Sequence, residues 1–164
     1  MANLLKNIAD LDEDSMKGRF LAFMIGEETF GIGIKNVMEI VGIQPITEMP
    51  EAPAYIKGIV NLRGSIIPVL DVRLRFNKPQ IEYDDRTCII VIYYGGTSTG
   101  LVVDRVSEVL AIPEENIVEK PGINSKSGQG YVKSIGKVGD QVVLLIDCEK
   151  LLTEEAPDAI SAQN

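Results

Sequence analysis

At 164 residues and 17.9 kDa, the chain has room for one compact domain, or two very small ones sharing a core, and none for a further enzyme-sized domain. Its 45% hydrophobic residues and mean hydropathy of +0.11 supply enough apolar surface to fold as a globule. Sixteen Lys and Arg against 24 Asp and Glu leave a net charge of -8, which opposes a role on nucleic acid or anionic lipid, and no apolar stretch approaches the roughly 20 residues of a membrane span.

In chain order, residues 1–16 read as a flexible tail with helical character in its first dozen positions. Its few apolar residues run into an acidic stretch, which is not the form of an export signal, and a cytoplasmic location is expected. Short runs of Ile, Val and Leu, separated by Gly, Pro, Asn and acidic residues, then predict strands over 19–25, 28–34, 37–43, 56–62, 65–71, 87–94, 99–104, 106–112, 130–137 and 140–146. Asp147 suits the N-cap of a short helix ending at Leu152. The domain is expected to span 17–155 and to end before Pro157, leaving 156–164 as a second flexible tail. Cys88 and Cys148 both stand in apolar surroundings and read as buried free thiols ahead of a disulfide.

The chain also repeats itself. A shift of 69 positions lays residues 24–43 over 93–112, so that Gly26 meets Gly95, Gly31 meets Gly100, Val37 meets Val106 and Glu39 meets Glu108. A second echo lays 65–76 over 141–152 and aligns Asp71 with Asp147. Two echoes in the same order imply a duplicated β unit, about 20–76 and 87–152. Either unit alone would bury only about 60% of its unfolded surface, a marginal fraction, so the two must pack together. Curling short antiparallel strands into small barrels also removes their exposed edges. The expectation is all-β: two small barrels around a shared apolar core.

Enzyme chemistry finds no support. Gly96-Thr97-Ser98-Thr99-Gly100 matches a nucleophile-turn pattern, but that chemistry needs a following helix and a histidine base. A strand-like segment follows, and the chain has no histidine. The segment reads as a hairpin turn. Gly122 to Ser127 lacks the glycine before lysine of a phosphate loop, and Gly31-Ile32-Gly33 opens no helix. Two cysteines 60 positions apart with no histidine make no zinc site. No cofactor, metal or catalytic residue is expected.

The most specific segment runs from Pro50 to Phe76. Two apolar runs flank Asn61-Leu62-Arg63-Gly64, where Gly64 suits a tight reversal that throws Arg63 toward solvent. Between residues 57 and 78 five cations, Lys57, Arg63, Arg73, Arg75 and Lys78, stand against a single acid, Asp71, a local inversion of the acidic whole. The string PAYIKGIVNLRGSIIPVLDVRLRF, the preceding VMEIV and the later TGLVVDRVSEVL together resemble the CheW family of chemotaxis coupling proteins, over about Arg19 to Leu152.

That resemblance implies two five-stranded, Src-homology-3-like barrels. It also implies a non-enzymatic adaptor that couples the helical cytoplasmic tips of methyl-accepting chemoreceptors to the regulatory domain of the histidine kinase CheA, recruited to membrane receptor complexes without inserting in the bilayer. A coupling protein of a non-motility chemosensory pathway is the alternative. By resemblance, the receptor-binding residues are Val37, Glu39, Arg63, Cys88 and Val109, with Asn61 and Gly64 shaping the turn. Family members often place an aliphatic residue where this chain has Cys88. Area scaling gives a chain of this mass roughly 8,000 Å² of folded surface, room for two interfaces of about 800 Å² each.

Overall fold

Alternating burial along short β-branched runs builds the fold, described here for residues 16–119 and 130–152 of a computed structural model. The tails expected at 1–16 and 156–164 lie outside the described residues, apart from Met16. In order come β1 (Arg19–Ile25), β2 (Glu28–Gly33), β3 (Val37–Gly42), β4 (Ile56–Leu62), β5 (Ser65–Asp71), α1 (Val72–Arg75), β6 (Cys88–Tyr94), β7 (Thr97–Val103), β8 (Arg105–Ala111), β9 (Ile117–Glu119), β10 (Val132–Val138), β11 (Gln141–Ile146) and α2 (Cys148–Leu152). Two of these were not expected. β9 is three residues long, too short to show a period, and α1 is a single turn capped by the Asp71 carboxylate, which accepts from Leu74 N at 3.2 Å.

The strands form a six-stranded sheet, β8-β1-β2-β11-β10-β9, and a five-stranded sheet, β3-β6-β7-β5-β4. In the second, β3 and β4 are the two edges. The turn after β4 nevertheless carries Arg63 into contact with Glu39 on β3, so the sheet curls and its edges meet. β9 makes the other sheet one strand larger than the five expected.

The sheets cut across the sequence repeats. The β1-β2 hairpin joins β8 to β11, while the β6-β7 hairpin joins β3 to β5. The exchange obeys the repeat offsets residue by residue. Gly31 pairs with Leu145 in the parallel β2-β11 contact, and its counterpart Gly100 pairs with Val69 in β7-β5. Phe20 pairs with Leu110, and the counterpart pair is Ile89 with Val41. Asp71 N donates to Tyr55 O at 2.8 Å and Asp147 N to Tyr131 O at 2.7 Å. Each unit therefore completes its barrel with the other unit's hairpin, which binds the halves more firmly than face packing alone.

Packing follows the same plan. One apolar cluster fills the five-stranded barrel around Val60, Val69, Ile89 and Val102, and another fills the six-stranded one around Ala22, Leu110, Val143 and Leu145. The largest lies between them and draws Leu21, Phe23 and Ile146 from one sheet and Ile40, Leu70 and Ile90 from the other. Each such fully buried side chain contributes about 1.5–3 kcal/mol. Rings thread this seam, with Phe30 to Phe76 centroids 5.2 Å apart and Phe76 to Tyr131 5.4 Å.

Candidate partner-binding surface

The β4-β5 hairpin has a two-residue loop, since Leu62 pairs with Ser65 across it. Both loop residues are left-handed, Arg63 at φ 52° and Gly64 at φ 90°, the geometry whose twist matches that of the flanking strands. Asn61 fixes the turn by accepting from Gly64 N at 2.8 Å through its side-chain oxygen. Arg63 tolerates positive φ here, and its side chain, 71% exposed, projects from the hairpin tip to pair with Glu39, 23% exposed, through one guanidinium nitrogen.

Glu39 owes its orientation to a bulge. Val37 pairs with Ile92 and Glu39 with Val91, so Met38 is the extra residue on β3. Val37 turns inward and is buried, whereas Met38 is 54% exposed, with its sulfur 3.4 Å from Ser98 Oγ. Met38 thus adds an apolar side chain beside Glu39 that sequence reasoning passed over, because period-two alternation has no place for a bulge.

The remaining expected site residues divide by depth. Cys88 faces Gly42 on β3 but is buried in the central cluster, its thiol donating to Arg86 O at 3.2 Å. Burial pushes that thiol up from its ordinary pKa, only partly offset by the Val106 backbone N–H on β8. Val37 belongs to the same cluster. Val109, on the edge strand β8, is half-buried against it, while its repeat counterpart Ile40 is fully buried. Glu39, Arg63 and Val109 therefore reach the surface at least in part, Glu39 and Arg63 on the five-stranded sheet and Val109 on the six-stranded one, whereas Val37 and Cys88 are buried.

The basic stretch seen in sequence disperses on folding. Arg73 makes a two-pronged contact with Asp104, at 2.8 and 2.6 Å, and the same carboxylate accepts from Gly26 N at 2.7 Å. Burial alone would push the Asp104 carboxyl up, but Arg73 and the Gly26 N–H outweigh it and hold the group below its usual range. Lys78 pairs with Glu28 at 3.2 Å. Arg75 is buried, donating to Leu151 O at 3.0 Å and Lys150 O at 3.3 Å with its guanidinium over the Tyr55 ring at 4.1 Å. These contacts tie the barrels together, and of the five cations only Lys57 and Arg63 are left to decorate the hairpin.

The surface pair also breaks the internal symmetry. Glu108 stands where Glu39 does, but the turn equivalent to Arg63-Gly64 is Gly139-Asp140, which supplies no cation. No group of three or more potential metal ligands occurs among the described residues. Nor is any described helix long and apolar enough to cross a membrane.

What distinguishes the molecule is thus an exposed, asymmetric surface on a double barrel, which places it in the class of two-barrel β domains. Residues 19–156 match the CheW-like domain. The chain is 36% identical over 151 residues to the chemotaxis protein CheW of Klebsiella aerogenes, covering 92% of this chain and 91% of that one. It is 34% identical over 139 residues to the probable chemotaxis protein CheW of Rhizobium etli, covering 85% and 90%. The crystal structure of the scaffolding protein TtCheW from Thermoanaerobacter tengcongensis superimposes with a TM-score of 0.78 at 34% identity, covering 84% of this chain and 97% of that one. The chain belongs to the CheW family, and its two barrels are the Src-homology-3-like pair expected from sequence.

Proposed function

We propose that this protein is a non-enzymatic chemotaxis scaffold that couples the helical cytoplasmic tips of methyl-accepting receptors to the regulatory domain of the kinase CheA at the cytoplasmic face of receptor complexes. The observation that carries the reading is the Glu39 and Arg63 pair held on a type I′ turn beside exposed Met38. An exposed pair contributes only about 0–1 kcal/mol to stability, so a rigid turn presenting it serves recognition better than folding. A receptor helix would lay apolar side chains on Met38 and Val109 and a polar one on the pair, with Val37 and Cys88 supporting the floor.

The test is capture of a receptor cytoplasmic fragment, followed by kinase stimulation in the reconstituted complex. Arg63→Ala should weaken receptor capture about ten-fold, the loss typical of an arginine anchor, and should leave the melting temperature nearly unchanged. A large drop in melting temperature with normal capture would reverse the assignment.

A further inference from the structure

A cleft of about 690 Å³, the size of a small-molecule site, opens where the two barrels adjoin. The start of β1, the turn after β2 and the facing ends of β10 and β11 come from the six-stranded barrel, and Tyr94 at the end of β6 comes from the five-stranded one. The Asn36 side-chain amide donates to Tyr93 O at 3.3 Å and ties the two walls together.

The cleft gathers positive charge in a protein whose net charge is -8. Lys17, Arg19, Lys35 and Lys133 line it against one acid, Asp147, whose carboxylate is engaged as the cap of α2, accepting from Lys150 N at 3.3 Å. Arg63, Arg73 and Lys78 each meet a carboxylate, but Lys17, Lys35 and Lys133 are exposed and have no ion-pair partner among the described residues. Burial pushes the Cys148 thiol in the cleft wall up, and Lys133 and Lys35 both oppose that rise, so the two ammonium groups bear on one point. Like charges facing one cavity repel, and nothing in folding alone favours collecting them there.

The kind and placement of the cations select the ligand. A planar carboxylate is matched best by an arginine fork, whereas lysines act as separate point charges. Three of them on three different segments suit a tetrahedral phosphate, which presents oxygens in several directions. Phe20 and the 37% exposed Tyr94 add aromatic surface beside them, which suits a ring-bearing organic part.

We propose that this cleft binds a small organic phosphate, with its phosphate groups among Lys17, Lys35 and Lys133 and its ring against Tyr94. The site stands apart from receptor coupling, since none of the receptor-binding residues lines it.

The experiment is a titration of the full chain with ADP at low salt, followed by amide chemical shifts. Shifts at Gly18, Lys35 and Lys133 should saturate with a Kd below ~1 mM, and pyrophosphate, citrate and adenosine should each bind about ten-fold or more weakly. Lys35→Gln with Lys133→Gln should raise the Kd for ADP about ten-fold or more, the loss expected for two charge-assisted contacts. Lys57→Gln with Lys137→Gln removes the same charge outside the cleft and should leave that Kd unchanged. Tyr94→Leu should weaken ADP and leave pyrophosphate unaffected. Failure of ADP to saturate the cleft amides by ~10 mM overturns the proposal, and so does an equal loss in the two double variants. Citrate or pyrophosphate binding as tightly as ADP also overturns it, because the cleft would then be an unselective patch of charge.

Discussion

Arg75 is the buried cation most exposed to a quantitative test. It lies on the first repeat, yet its guanidinium donates to the carbonyls of Leu151 and Lys150 at the end of α2, and stands 4.1 Å from the Tyr55 ring and 5.0 Å from Tyr131. Hydrogen bonds from a charged donor contribute about 1.5–3 kcal/mol each, and the flanking rings add about 1–2 kcal/mol. Against this gross ~5 kcal/mol stands the desolvation of a buried charge, which costs several kcal/mol and vanishes when the charge is removed. Arg75→Met keeps most of the volume, leaves two carbonyls without their donor, and should cost a net ~2–3 kcal/mol. In a domain of this size that lowers the melting temperature by about 5–10 °C. Arg75→Lys should fall by a similar amount, because an ammonium cannot span two carbonyls and two rings with one planar fork. Urea and thermal unfolding read both values. A methionine variant as stable as the parent, or more so, would show that desolvation wins and that the staple contributes nothing net.

Three further outcomes follow from single sites. Asp104 has its pKa lowered in the fold by Arg73 and the Gly26 N–H despite burial, so its contribution is complete above the unfolded carboxylate pKa of about 3.9 and is lost as pH falls through the lower folded value; Asp104→Asn should flatten that acid limb in urea titrations, and an unchanged limb would refute the assignment. At Gly58, φ is 149° and an added Cβ would lie 2.0 Å from Thr47 O, in the bridge that joins Thr47 to Ile59. Gly58→Ala should therefore cost about 3 kcal/mol or more by chemical denaturation. The Cys148 thiol is pushed up to about 11 by burial, so iodoacetamide at pH 8 should label it far more slowly in the native protein than in urea, as followed by mass spectrometry.

The barrels were legible because short β-branched runs between turn residues allow few alternatives. The exchange of hairpins between repeats was not. An internal echo states which segments are equivalent, and the same echo fits two separate barrels or two exchanged ones, since both place Gly31 and Gly100 in equivalent settings. What selects exchange is three-dimensional: a parallel contact between β2 and β11 requires the hairpin to cross to the other unit's strands. α1 was nearer to hand. Asp71 aligned with Asp147, and both cap a turn of helix through a side-chain oxygen, so the helix read after one aspartate applied equally to the other.

The site divides along the same line. The exposure of Arg63 and the turn role of Gly64 were readable because glycine between two apolar runs suits the positive φ of a tight reversal and a side chain on such a tip points outward, while the positive φ of Arg63 itself appears only in the structure. The depth of Val37 and Cys88 was not readable, because both face a core that exists only once the barrels meet. That core also explains why one barrel alone can carry the exposed pair. The duplicated frame gives Glu39 and Glu108 the same bulged setting, with Val37 opposite Ile92 and Val106 opposite Phe23. The two surfaces differ at the turn, Arg63-Gly64 in one and Gly139-Asp140 in the other, and beside the glutamate, where Met38 stands in place of Ser107. The two halves are thus alike inside and unlike outside, and the turn contributes to that difference without disturbing the register beneath it.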